Sequence, residues 1–181
     1  MSAETLLAII GLALILPAIS LYNRIVAARN LARQAYADIE VQLKRRAELV
    51  PQLVEAVRAY APHENALLDA VAELHAAALG AKSREERFAH ERGLGERLKE
   101  LVLLQESIPR LKADASFRKL VAQLVEIDDH LQFARRYYNG AVQQYLTRIG
   151  SFPDSVVAKL FFFRPMPFFE ADTRGTTRIA L

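Results

Sequence analysis

The chain has 181 residues, 52% of them hydrophobic, with no Cys, no Trp and only 7 Gly and 7 Pro. This excludes a disulfide framework, a thiolate metal site and a cysteine nucleophile, and it favours helix over sheet because few turn residues remain. The 24 Lys and Arg against 21 Asp and Glu leave a net charge of +3, too mixed for the clustered positive surface of a nucleic-acid binder.

The N-terminus carries the first element. Thr5 to Asn23, TLLAIIGLALILPAISLYN, is uncharged and almost wholly apolar. As helix it spans about 28 Å, close to the hydrocarbon thickness of a bilayer. Tyr22 stands where an amphipathic ring suits the headgroup level. Pro17 is tolerable inside such a span. A cleaved signal peptide is the competing reading, since Ala18-Ile19-Ser20 resembles a cleavage site, but the preceding MSAET has no cation where a signal peptide needs one. Arg24, Arg29 and Arg33 follow the segment and no Lys or Arg precedes it. The expectation is therefore a transmembrane helix with residues 1–4 extracytoplasmic and everything after it cytoplasmic.

Beyond the span, Leu21, Ile25, Ala28, Ala32, Ala35, Ile39, Leu43, Ala47, Val50, Val54, Val57 and Ala61 are apolar or small. Forty residues over eleven intervals is about 3.64 per step, the period of a nearly straight helix rather than a 3.5-residue seam. The membrane helix is expected to run directly into the following domain. Pro51 falls inside it and predicts a bend. Ala61-Pro62-His63-Glu64 breaks it, with Pro62 suited to the first position of the next helix and Glu64 to that helix's dipole. A second helix is expected to about Leu79, and a third from about Ser83 to Ser107 with Gly93 and Gly95 as soft points. A fourth is capped by Asp114 or Ser116 and runs from Phe117 to Ile149, where Gly150-Ser151-Phe152-Pro153 ends it. The fold expected is all-α: an N-terminal transmembrane helix (5–23) continuing into a long-helix, up-and-down four-helix bundle over 24–150. An aromatic segment (151–170) and a flexible tail (171–181) follow.

The aromatic segment reads SFPDSVVAKLFFFRPMPFF. Phe161, Phe162, Phe163, Phe168 and Phe169 interleave with Lys159 and Arg164, the composition of an interfacial segment that places rings among headgroups beside anionic lipid. The same rings could instead close the end of the bundle core, since either outcome removes a large apolar patch from water. Tyr22 and Arg24 complete the set of membrane-interface candidates.

The polar residues form two stripes. Asn23, Asn30, Gln34, Asp38, Gln42 and Arg45 lie on the first helix; Asp128, Gln132, Arg135, Asn139 and Gln143 lie on the fourth. Facing one another they could make a partly buried hydrogen-bonded network that decides which helix meets which; a partner-binding groove is the alternative. Lys44-Arg45-Arg46 is too far along a straight helix, about 30 Å, to reach lipid across a screening length of about 8 Å. Tyr138 belongs to the apolar row of the fourth helix. No catalytic or metal pattern emerges. His63-Glu64 lacks a second histidine, Glu126 and His130 are four apart rather than three, and His75 and His90 stand alone. No nucleophile elbow, phosphate loop or dinucleotide fingerprint occurs, so neither an enzyme nor a cofactor is expected.

YNRIVAARN (22–30), DIEVQLKRRAELVPQLVEAV (38–57), YAPHE (60–64), ARRYYNGAVQQY (134–145) and SFPDSVVAKLFFF (151–163) resemble the LemA family, in order and across essentially the whole chain. The sequence departs from the family pattern at Leu146, where Asn is usual, at Phe162, where Gly is usual, at Ile108, where an aromatic residue is usual, and at Pro62. The resemblance implies an N-terminal membrane helix, an extracytoplasmic N-terminus, a cytoplasmic helical bundle and no established enzymatic activity. It also implies association with membrane proteases and stress functions, and, for one relative, with building magnetosome membranes. Two functions are expected as alternatives: a self-associating, membrane-anchored scaffold that organises or remodels the bilayer, or an adaptor presenting a bundle groove to another membrane protein.

Overall fold

The computed structural model describes residues 3–169, with side chains described at 13 and 15–169. The described residues form six α-helices: α1 (Ala3–Tyr60), α2 (Asn65–Gly80), α3 (Arg84–Leu103), α4 (Pro109–Ala113), α5 (Ala115–Gly150) and α6 (Asp154–Leu160). A 3₁₀ turn, Leu104–Glu106, follows α3. No strand occurs among the described residues. Also among them, no helix is long and apolar enough to cross a membrane. The expected span, 5–23, includes residues 5–12 and 14, whose side chains lie outside the described residues. Residues 1, 2 and the expected tail 171–181 lie outside them entirely.

The chain divides into two compact units. The first holds the described residues up to Asp38 together with Arg136–Phe168; the second holds Ile39–Arg135 together with Phe169.

The second unit is the four-helix part, and its polar contacts fix the directions. Residues of α1 meet α2 at Ala47 and His75, α3 at Arg46 and Glu91 and at Glu40 and Arg87, and α5 at Arg46 and Asp128 and at Tyr60 and Asp114. As α1 ascends from 40 to 60, its α3 partners ascend and its α5 partners descend. With α2 returning between α1 and α3 through connections of a few residues, the order is up, down, up, down. The apolar core draws Leu49, Val50, Leu53 and Val57 from α1, Leu68 and Val71 from α2, Leu94, Leu98 and Leu101 from α3, Leu111 from α4, and Phe117, Leu124 and Ile127 from α5.

Local chemistry sets the helix ends. Ser83 caps α3 by accepting the Glu86 N–H at 3.1 Å, while the Glu86 carboxylate accepts the Lys82 N–H at 2.9 Å, a variant of the reciprocal N-terminal box. Asp114 caps α5 by accepting the Phe117 N–H at 2.7 Å. Pro62 does not open α2: it and His63 form a turn, Glu64 takes the cap position with no side-chain bond, and the helix begins at Asn65. Pro109 instead opens the separate short helix α4, so the third helix ends earlier than expected. Gly93 and Gly95 lie inside unbroken α3. A Cβ at Gly93 would come within 3.3 Å of Leu74 on α2, so this glycine permits close helix approach rather than softening the helix.

The buried row of α1 differs from the straight-helix row. In the second unit it is Ile39, Leu43, Arg46, Val50, Leu53 and Val57, alternating steps of four and three as in a 3.5-residue seam, with Leu49 buried beside it. Arg46 and Leu53 take the places expected of Ala47 and Val54. In the first unit Ile25, Ala28, Ala32 and Ala35 are buried, and Tyr145, Val157 and Ala158 join Ile25 and Ala28 in one cluster.

Candidate functional site

Two groups of side chains hold the chemistry, one in each unit. In the second unit the centre is Arg46, 2% exposed. Its guanidinium forms an ion pair with Glu91, donates to the Glu91 carbonyl at 2.7 Å and reaches Asp128 at 3.4 Å. One cation thus joins α1, α3 and α5. The polar stripe predicts Arg45 in this role. Arg45 is exposed instead and lines an open groove of about 310 Å³ with Glu48, Leu49, Gln52, Gln123, Glu126 and Ile127. The physical reason is the row itself: position 46, not 45, faces the core.

Arg135 is half-buried beside this centre. Burial, helped by the Arg46 charge and opposed by Asp128 and Glu91, pushes its guanidinium down to about 10, so it remains a cation at neutral pH. It lies 4.2 Å over the Phe169 ring, which is itself 4.0 Å from Phe88. Phe169 is therefore core, not an interface residue, because a cation above and a ring beside it occupy its faces.

Most of the two stripes are solvated. Asn30, Gln34, Asp38, Gln132 and Gln143 are exposed, while Gln42 and Asn139 are half-buried. His75, expected to stand alone, bonds the Ala47 carbonyl at 3.1 Å. Pro51 is exposed within unbroken α1, and His63 and Glu64 lie in the connection to α2. His130 and Glu126 approach to 3.9 Å on an exposed face. Among the described residues no three His or carboxylate groups are arranged to hold a metal.

In the first unit the rings of the aromatic segment differ in burial from one residue to the next. Tyr22 lies 4.9 Å from Phe161 and 5.7 Å from Phe163, and Arg29 stands 5.8 Å over Phe163. Phe163 and Met166 pack against the buried cluster. Phe161 is exposed, and Phe152 and Phe162 are more than 80% exposed. The Phe152–Pro153 peptide is cis, and Phe162 has φ 54°, a left-handed conformation that favours glycine. Lys159, Arg164 and Phe168 are exposed, as is Arg24.

Two tyrosines of α5 hold the extended chain beyond α6. Tyr145 donates to the Arg164 carbonyl at 2.8 Å and Tyr138 to the Pro167 carbonyl at 2.7 Å. The fit is metric: seven helical residues rise about 10.5 Å and three extended residues span about 10 Å. Burial raises the Tyr145 phenol, with Arg29 and Arg33 pulling the other way. The Tyr138 ring packs 5.9 Å from that of Tyr36, tilted by 55°.

Sequence reasoning missed Glu91, His75 and Tyr145. Glu91 had a signal: it interrupts the row Phe88, Leu94, Leu98, Leu101, as Arg46 interrupts its own. Opposite charges breaking two apolar rows are what a buried pair looks like in sequence.

The described residues form a helical-bundle protein with two long helices, a buried Arg–Glu pair and an exposed ring-and-cation segment. Comparison with family models matches the LemA family over residues 35–180. The chain belongs to the LemA family. A comparison with curated proteins finds no match.

Proposed function

We propose that this chain is a non-enzymatic, single-pass membrane protein that self-associates into a scaffold organising or remodelling the bilayer. Thr5–Asn23 would span the membrane with the N-terminus outside, and the helical units would lie in the cytoplasm at the cell membrane. The observation that supports this reading best is the position of the exposed rings. Phe161 touches Tyr22 at 4.9 Å, one residue before the uncharged stretch ends at Asn23, and Phe152 and Phe162 are left almost fully in water. Rings so exposed carry a cost unless lipid or another copy covers them.

The test is the mass of the full-length chain in a lipid nanodisc by mass photometry. A discrete homo-oligomer, lost when Phe161, Phe162 and Phe163 are changed to Ser, is expected; a monomer would overturn self-assembly. A C-terminal reporter active only outside the cell would overturn the topology.

The second reading is a monomeric adaptor for another membrane protein, such as a protease. The groove lined by Arg45, Glu48, Gln52 and Gln123 favours it, since mixed charge beside Leu49 and Ile127 suits a polar protein surface. Proximity labelling that captures one membrane protein, and loses it in Arg45→Glu, would select this reading.

A further inference from the structure

Three open clefts can be compared by the charge of their walls. The groove at Arg45 sets that one cation against Glu48 and Glu126. The cleft beside Arg46 sets Arg46, Arg92, Lys99 and Arg135 against Glu91, Glu96 and Asp128. The third, about 410 Å³, is lined by Ile149, Ala158, Lys159, Phe162, Phe163, Arg164 and Pro165. It has two cations and no carboxylate. Its size falls within the roughly 300–1,000 Å³ of small-molecule sites.

We propose that this third cleft binds the headgroup of one anionic phospholipid, with the phosphate between Lys159 and Arg164 and the Phe162 ring turned into the lipid. The proposal rests on the anchored reading above and names the ligand of that face. Neither Lys159 nor Arg164 is ion-paired among the described residues. Arg29, 5.8 Å over the Phe163 ring, adds positive potential. A soluble phosphate compound would satisfy the cations and leave the rings in water. A lipid satisfies both, and the Phe161–Tyr22 contact sets the cleft beside the end of the apolar stretch, where headgroups lie if that stretch is in the bilayer. The positive φ of Phe162 is consistent with a ring kept outward at a backbone cost.

The chain has no Trp, so Phe162→Trp gives a single fluorophore at the cleft. The full-length variant is placed in phosphatidylcholine nanodiscs doped with brominated phosphatidylglycerol or brominated phosphatidylcholine, and quenching gives the relative affinity. Each cation beside an anionic surface contributes up to about fivefold, reduced by salt, so phosphatidylglycerol is expected to win by on the order of tenfold. Lys159→Gln with Arg164→Gln should bring the ratio close to one without changing the melting temperature. Equal quenching by both lipids, or none by either, overturns the proposal. So does an emission shift produced by inorganic phosphate in uncharged detergent that phosphatidylglycerol does not increase, because the site would then serve a free anion. A monomer that keeps the lipid preference would remove the scaffold and leave the lipid site standing. A chain that fails to enter nanodiscs removes the anchor. The same quenching series on phosphatidylglycerol vesicles then decides the cleft.

Discussion

His75 of α2 occupies the carbonyl of Ala47, 3.1 Å away, and Pro51 is the reason that carbonyl is open. A helix pairs the carbonyl of residue 47 with the N–H of residue 51, and proline has none. The imidazole supplies from a neighbouring helix the donor that the proline removed from its own.

This makes the two residues a testable pair. His75→Ala should destabilise the fold by about 1–2 kcal/mol, the usual cost of a half-buried acceptor left unmade. In a Pro51→Ala background the same change should cost much less, because an alanine in place of the proline returns a backbone N–H to the Ala47 carbonyl. Chemical denaturation of the four variants measures the coupling; additive losses would show that His75 acts only by packing.

At Arg46 the expected effect is larger. Arg46→Met should cost about 3–5 kcal/mol by leaving Glu91 buried without a counter-charge, whereas Arg46→Met with Glu91→Met should recover most of the loss. Arg45→Met, on the surface, should stay within about 0.5 kcal/mol. Melting curves of the three variants check the order.

The Tyr60–Asp114 bond, 2.7 Å, should give stability a dependence on pH at both ends. The Phe117 N–H, and then the Tyr60 hydroxyl, hold the Asp114 carboxyl below its ordinary value. Its contribution is therefore complete above the unfolded value and lost as pH falls through the folded one. Asp114, by hydrogen bond and then by charge, raises the Tyr60 phenol, so that contribution is present below the ordinary tyrosine value and lost as pH rises through the folded one. Asp114→Asn keeps a cap and should flatten the acid limb; an unchanged acid limb in melts across pH would refute the assignment.

Phe162→Gly should stabilise the isolated fold by up to about 1 kcal/mol, since a non-glycine residue in the left-handed region costs roughly 1–2 kcal/mol and glycine returns part of that as backbone entropy. The same change should weaken association with phosphatidylglycerol vesicles. A variant that gains stability and keeps full lipid binding would separate the ring from the membrane.

Three helix bounds were legible because punctuation marked them: Gly80 ends α2, Gly150 ends α5 and Asp114 caps α5. The identity of the buried cation was not. A straight helix drifts about 20° per heptad against a 3.5-residue row, so between Leu21 and Arg46 the two readings diverge by about 70°, most of the 100° that separates neighbouring residues. Whether 46 or 47 faces inward is decided by the helices across from it, and a charge there reads as surface until Glu91 is known to meet it. The division of the aromatic segment was hidden for a similar reason. Phe162 and Phe169 are alike in composition, and only the ring of Phe88 and the guanidinium of Arg135 distinguish the one that is buried.

The two tyrosine bonds to the tail carry a further consequence. Surface connections usually tolerate added or missing residues at little cost. The segment from Arg164 to Pro167 has no slack. Its three steps match the seven-residue rise between Tyr145 and Tyr138, and Pro165 and Pro167 hold φ near −65°. One residue more or fewer would put a carbonyl about 3 Å out of reach of its phenol. What this segment must preserve is its length, and an indel there should be felt more than most changes of its side chains.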